Sequence, residues 1–216
     1  MDLLFDLDGT LTDPVVGITR CIQHALSNLG REPSTCGELA RFVGPPLHGT
    51  FADLLSTNDP GLIERAIGFY RERFAKVGMF ENEIYPDVAA GLGTLAAGGH
   101  RLWVVTSKPH VYARRIVEHF TLQQYFSAVY GSELDGRNAD KADLIRFVLE
   151  DASMRRDETW MIGDRAQDIR GGRLNGIRTV GVLWGYGSED ELRSAGPNLL
   201  AHGMSELVAT LATCAA

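Results

Sequence analysis

Hydrophobic and polar positions along the chain fall into two alternating textures. Short, continuous apolar runs occur at 3–7 (LLFDL), 101–107 (RLWVVTS), 126–131 (FSAVYG), 159–164 (TWMIGD) and 178–185 (RTVGVLWG). Runs without polar alternation fit strands that are covered on both faces. Helical spacing fills the intervals at roughly 87–98, 110–119, 140–151, 167–175 and 204–213. Three of these helices have start signals: Pro86-Asp87, Pro109, and Asp140 as a cap. Strand and helix in alternation predict crossover units and a parallel sheet, hence an α/β, Rossmann-like fold.

Residues 14–82 break that rhythm. PVVGITRCIQHALSNLG reads as an amphipathic helix ending at Gly30, and helical patterns follow near 36–43, 46–55 and 60–78. An insert of roughly 70 helical residues after the first strand predicts a separate helical domain. The expected division is 1–13 with 83–216 for the core and 14–82 for the insert, the return point lying between 78 and 86. The final ATCAA is expected to fray.

Composition narrows the class. A 216-residue chain with 44% hydrophobic residues suits one soluble domain with an insert. A net charge of −7 argues against sequence-independent nucleic-acid binding, and no apolar run is long enough to span a bilayer. Cys21, Cys36 and Cys214 form no CxxC and no disulfide framework, so they read as reduced thiols in a cytoplasmic protein. The acidic N-terminus, entering a strand at once, does not read as a signal peptide.

In an open parallel sheet, ligands bind at the carboxyl ends of the strands. The first strand ends in Asp6-Leu7-Asp8-Gly9-Thr10, the second in Thr106-Ser107-Lys108-Pro109, and a later one in Gly163-Asp164 with Asp168 beyond; Lys141 opens a helix. Asp6 and Asp8, at i and i+2, share a side while the backbone is extended. Adding Asp164 and Asp168 compounds their repulsion, and a hard dication with oxygen ligands resolves it; Mg²⁺ is the usual choice beside carboxylates and a phosphate.

These residues carry a resemblance. The sequence resembles the haloacid dehalogenase superfamily, in its phosphoglycolate phosphatase-like branch with a helical cap. FDLDGTLTD matches that family's first motif at every position, VVTSK the second, Lys141 the third and MIGDRAQDI the fourth. FVGPPL (42–47) and GVLWGYG (181–187) are also worded as in the subfamily. The resemblance implies a Mg²⁺-dependent phosphatase of small phosphorylated metabolites. Asp6 is then the nucleophile that forms an aspartyl-phosphate, and Asp8 the general acid and base. Thr106 and Lys141 bind and neutralise the phosphoryl group, helped by backbone N–H groups around Leu7 and Ser107. Asp6, the Asp8 carbonyl and Asp164 are implied metal ligands, and Asp168 a further ligand or the holder of a metal-bound water. Gly44 and Pro45 are implied to form a substrate-reading cap loop. Asp8 separates this chain from the pumping ATPases, which carry Thr there, and from the dehalogenases, which lack an acid there. Ser107 departs from the Asn common at its position.

Phosphoglycolate is the substrate the branch name suggests, with a 5′-nucleotide or pyrophosphate close behind. A phosphomutase and a non-catalytic metabolite-binding module are the other classes weighed. Monomer and homodimer both remain open. Lys108 reads as a helix-start residue or the partner of an acid, with a phosphate contact as the alternative, and Arg20 and His48 as solvated, with contact to an anionic leaving group as theirs. Trp103, Trp160 and Trp184 read as core, and Thr10 as a residue that fixes its own loop by hydrogen bonds.

Overall fold

The structure, a computed structural model, describes residues 1–214. The chain divides into two compact units, Met1–Asp13 with Ile84–Ala216, and Pro14–Glu83. Its strands are β1 (Asp2–Phe5), β2 (Thr12–Asp13), β3 (Glu83–Ile84), β4 (Arg101–Pro109), β5 (Phe126–Ser132), β6 (Thr159–Gly163), β7 (Arg178–Val182) and β8 (Leu199–Ala201). Its helices are α1 (Val15–Asn28), α2 (Cys36–Leu39), α3 (Leu47–Leu55), α4 (Pro60–Lys76), α5 (Val88–Ala97), α6 (His110–His119), α7 (Lys141–Asp151), α8 (Ala166–Leu174), α9 (Glu189–Ala195) and α10 (Met204–Cys214).

The first unit is a six-stranded sheet in the order β5-β4-β1-β6-β7-β8, with every neighbouring pair parallel. This is an α/β, Rossmann-like sheet with crossover helices. The central strand β1 is buried at all four positions, which explains its unbroken apolar run. On one face Leu4, Trp103, Val105 and Met161 pack against Leu144, Ile145, Val148 and Leu149 of α7. Burial of each such side chain is worth about 1.5–3 kcal/mol, so α7 is firmly seated. On the other face Phe5 meets Phe126 edge-on at 6.3 Å. Trp103 and Trp160 are both core, at 8% and 3% exposure; the Trp103 indole N–H donates to Asp2 at 2.9 Å.

In the second unit, α1 carries buried Ile18, Ile22, Ala25 and Leu26 at helical spacing, and α4 carries buried Ile63, Ile67, Tyr70 and Phe74. Tyr70 stacks on Phe74 and receives Phe51 of α3 edge-on. Glu81 accepts from Arg20 at 2.7 Å and from Arg73 at 2.7 and 3.1 Å, tying α1 and α4 to the end of the unit. His48 stands 2.6 Å from Glu64. Arg20 and His48 are exposed, as expected, and each also faces a carboxylate of its own unit.

The helix α10 runs to Cys214 with Leu207 and Leu211 buried, so Ala212–Cys214 are helical and exposed; the last two residues of ATCAA lie outside the described residues. No helix among the described residues is long and apolar enough to cross a membrane. Cys21 is buried and Cys36 and Cys214 are exposed, all three as free thiols.

Candidate active site

Pairing of Phe5 with Val104 on one side and Ile162 on the other sets the end of β1 between the middle of β4 and the end of β6. Asp6 follows β1, Thr106 lies within β4 and Asp164 follows β6, and they are 4%, 2% and 0% exposed. After Asp6 the chain turns sharply: the Leu7 carbonyl accepts from the N–H groups of Thr10, Leu11 and Thr12. Gly9 makes the turn possible. Its φ is +84°, and a Cβ there would lie 2.3 Å from Oδ2 of Asp164.

Lys141 sits at the centre. Its helix is capped by Asp140, whose carboxylate accepts from the N–H groups of Ala142 and Asp143. The Lys141 ammonium donates to Asp6 Oδ1 at 2.9 Å and to the Val105 carbonyl at 3.0 Å, and stands 2.8 Å from Asp168 Oδ1. Three oxygens thus lie within 3.0 Å of the ammonium. Burial works against its charge, but Asp168 and Asp6 outweigh it and raise its pKa above the usual lysine value.

Asp164 is held at both oxygens. Oδ1 accepts from the Thr10 hydroxyl at 3.2 Å and Oδ2 from the Tyr186 N–H at 2.8 Å. Burial, followed by the charges of Asp168 and Asp6, pushes its pKa up to about 8. Asp168 Oδ2 accepts from the Arg165 N–H at 3.1 Å, and burial raises its pKa despite Lys141. Glu191 of α9 accepts from the Ala166 N–H and pairs with Arg165, fixing the start of α8 on which Asp168 stands.

One oxygen each from Asp6, Asp164 and Asp168 lies within 4.8 Å of the others, all three residues buried. An all-oxygen, carboxylate-rich donor set of this kind fits a hard divalent cation. Burial, with the neighbouring carboxylate charges added to it, raises the pKa values of Asp164 and Asp168.

Asp8 stands apart from this triad. Its Oδ2 is 2.6 Å from the Lys108 ammonium, a pair with both side chains buried. Burial raises its pKa, against the pull of Lys108. The Thr106 hydroxyl oxygen accepts from the Lys108 N–H at 3.3 Å, and the Ser107 carbonyl accepts from the Ser132 hydroxyl at 2.8 Å.

Asp6, Leu7, Asp8, Thr106, Ser107, Lys141, Asp164 and Asp168 thus belong to one strand-end cluster of the first unit. Gly44 and Pro45 belong to the second, in the loop before α3, where Pro45 lines a depression with Arg41, Phe42 and Thr50. Three features were not read from the sequence. The Thr10 hydroxyl holds Asp164, not only its own loop. Trp184 is not a plain core residue: half-buried, it donates from Nε1 to the Thr10 carbonyl at 3.0 Å. The Tyr186 hydroxyl donates to Asp13 while its N–H holds Asp164. The one signal for this loop was its place: a Gly-rich segment just past the carboxyl end of β7.

The sequence profile of the haloacid dehalogenase-like hydrolases matches residues 3–182. The chain belongs to that family. It is 44% identical over 196 residues to a 5′-nucleotidase of Pseudomonas aeruginosa, covering 91% of this chain and 88% of that protein. It is 36% identical over 204 residues to tyrosine-protein kinase PtkA of Mycobacterium tuberculosis, covering 93% and 68%. A crystal structure described as a predicted phosphatase from Clostridium acetobutylicum superposes with a TM-score of 0.94 at 40% identity, covering 98% of both chains.

Proposed function

We propose that this haloacid dehalogenase-like hydrolase is a Mg²⁺-dependent phosphatase of small phosphate monoesters that works through an aspartyl-phosphate on Asp6. The observation that carries this reading is the buried Asp6–Lys141–Asp168 arrangement with Asp164 beside it. Asp6, Asp164 and Asp168 supply the side-chain oxygens for the cation, with the Asp8 carbonyl as a further donor. Bound there, Mg²⁺ would supply positive charge to offset that of the phosphoryl oxygens.

The protein groups divide the rest of the chemistry. Asp6, kept in place by Lys141, attacks phosphorus and forms the Asp6–phosphorus bond as the ester bond breaks. Asp8 gives its proton to the departing oxygen, then takes one from the water that hydrolyses the acyl phosphate. The Thr106 hydroxyl, whose oxygen already accepts from Lys108, has its proton free for a phosphoryl oxygen. Lys141 neutralises charge on the transferring group, and backbone N–H groups around Leu7 and Ser107 assist. The four-motif site supports hydrolysis over a sensor role.

Similarity to a 5′-nucleotidase favours 5′-nucleoside monophosphates as the first substrates to try, with phosphoglycolate next from the motif resemblance. We assign choice of leaving group to the helical unit, Pro14–Glu83, including its Gly44-Pro45 loop. The test is phosphate release with Mg²⁺ at neutral pH from 5′-nucleotides, phosphoglycolate, sugar phosphates, pyrophosphate and p-nitrophenyl phosphate, with Asp6→Asn as the blank. Hydrolysis that Asp6→Asn abolishes is expected. No release above the blank from any ester, with tyrosine phosphorylation from ATP instead, overturns the phosphatase reading.

A further inference from the structure

Asp8 is 8% exposed, and its two oxygens differ. Oδ2 lies against the Lys108 ammonium at 2.6 Å, a short, charge-assisted contact with the lysine side chain 6% exposed. Oδ1 is buried and has no hydrogen-bond partner. A buried carboxyl oxygen left unpaired costs free energy unless something else meets it during function. Lys141 is engaged elsewhere: it donates to Asp6 and the Val105 carbonyl and pairs with Asp168. The site thus uses two buried lysines for two separate tasks. The backbone of Lys108 is itself pinned by its N–H on the Thr106 hydroxyl oxygen.

We propose that Lys108 is a positioning residue for Asp8: it holds Oδ2 and so reserves Oδ1 for the proton given to the leaving oxygen. The inference rests on the phosphatase reading and adds a role to it. In the first step the Oδ1–H bond breaks and its proton goes to the ester oxygen, while the ester P–O bond breaks and the Asp6–phosphorus bond forms. In the second step the Asp8 carboxylate removes a proton from water, whose oxygen bonds to phosphorus and releases Asp6. A free carboxyl rotates about its Cβ–Cγ bond; a carboxyl anchored at one oxygen presents the other in one place, which is the entropic advantage of preorganisation.

The experiment compares two leaving groups. A 5′-nucleotide leaves as an alkoxide and needs the proton; p-nitrophenyl phosphate leaves as a stable anion and does not. The value of kcat/KM reports the step in which the ester bond breaks. Lys108→Met is expected to lower kcat/KM for the nucleotide by about 10²-fold, the scale of lost general-acid catalysis. For p-nitrophenyl phosphate the same ratio is expected to stay within about threefold of the parent. Lys108→Arg should restore part of the nucleotide rate, and adding Lys108→Met to Asp8→Asn should cost nothing further. If Lys108→Met melts out at assay temperature, Lys108→Gln takes its place in the same comparison. Equal losses on the two esters, or no loss on either, overturn the inference: the first makes Lys108 a phosphate contact, the second a bystander. A parent protein that hydrolyses neither ester would instead sink the phosphatase reading itself.

Discussion

Lys141 holds Asp6: its ammonium lies 2.9 Å from Oδ1 of the carboxylate, and the two side chains are 2% and 5% exposed. Burying a carboxylate with no cationic partner is costly, and Lys141 supplies that partner. The same lysine stands 2.8 Å from Asp168, so one residue organises both acids.

Replacing Lys141 by Ala should therefore act twice. Turnover should fall by about 10²-fold or more, the scale of losing one preorganised charge at a reaction centre. Stability should fall by about 3–5 kcal/mol, because Asp6 and Asp168 are left uncompensated. Steady-state kinetics and denaturant titration without Mg²⁺ check the two effects separately. Adding Mg²⁺ should recover stability but not rate.

Asp164 sets a pH dependence for the metal-free protein. Its pKa of about 8 lies above the ordinary aspartate value of 3.8, so the folded chain holds a proton there that the unfolded chain has lost. Between those values the folded state binds more protons, and this group's contribution to stability falls as pH rises, then levels off above about 8. Cation binding must displace the same proton, so Mg²⁺ affinity should strengthen by up to about tenfold per pH unit from 6 to 8. Calorimetry in buffers of different ionisation enthalpy should detect proton release at pH 7 and little at pH 9. A flat affinity over that range would refute the assignment.

Gly9 tests how tightly the turn after Asp6 is fitted to Asp164. In Gly9→Ala the new Cβ would fall 2.3 Å from Oδ2 of Asp164, at a backbone φ of +84°. The strained backbone alone costs about 1–3 kcal/mol. The variant should melt lower and bind Mg²⁺ more weakly, since Asp164 must move. Unchanged Mg²⁺ affinity by calorimetry would show that Asp164 adjusts freely.

Glu81 links the helices of the second unit. Its side-chain bonds with Arg73 and then Arg20 hold its pKa below the usual glutamate value, against the opposing effect of burial. A lowered folded pKa gives stability that is present above the unfolded value of 4.5 and lost as pH falls through the folded one. Glu81→Gln should lower the melting temperature at pH 7 and lose that deficit in acid. A deficit that persists at pH 3 would contradict the ion-pair account.

Much of this was legible in the chain. Leu3–Leu7 and Trp160–Asp164 announce buried strands by unbroken apolar runs that end in acids, and the residue types at the strand ends point to a cation and a phosphate. The strand β8 and the helix α9 were not legible. Leu199–Ala201 is three residues long, and Glu189–Ala195 buries only Leu192 and Ala195, too few apolar positions to show a period. Nor was the loop after β7. Tyr186 meets Asp13 across 173 residues of sequence, and Trp184 meets Thr10 across 174. Such pairs are made by the order of strands in the sheet, which no local pattern encodes. Lys108 was readable as the partner of an acid, but not as the partner of Asp8 in particular.

The central claim is that Asp6 is the residue that becomes phosphorylated. The most direct measurement is an acid quench during turnover with Mg²⁺, then borohydride reduction and mass spectrometry of the N-terminal peptide. An acyl phosphate on Asp6 is reduced to homoserine, so the account predicts homoserine at position 6 in the parent and none in Asp6→Asn. Sustained turnover with position 6 unmodified, or homoserine at Asp8, Asp164 or Asp168 instead, would contradict it.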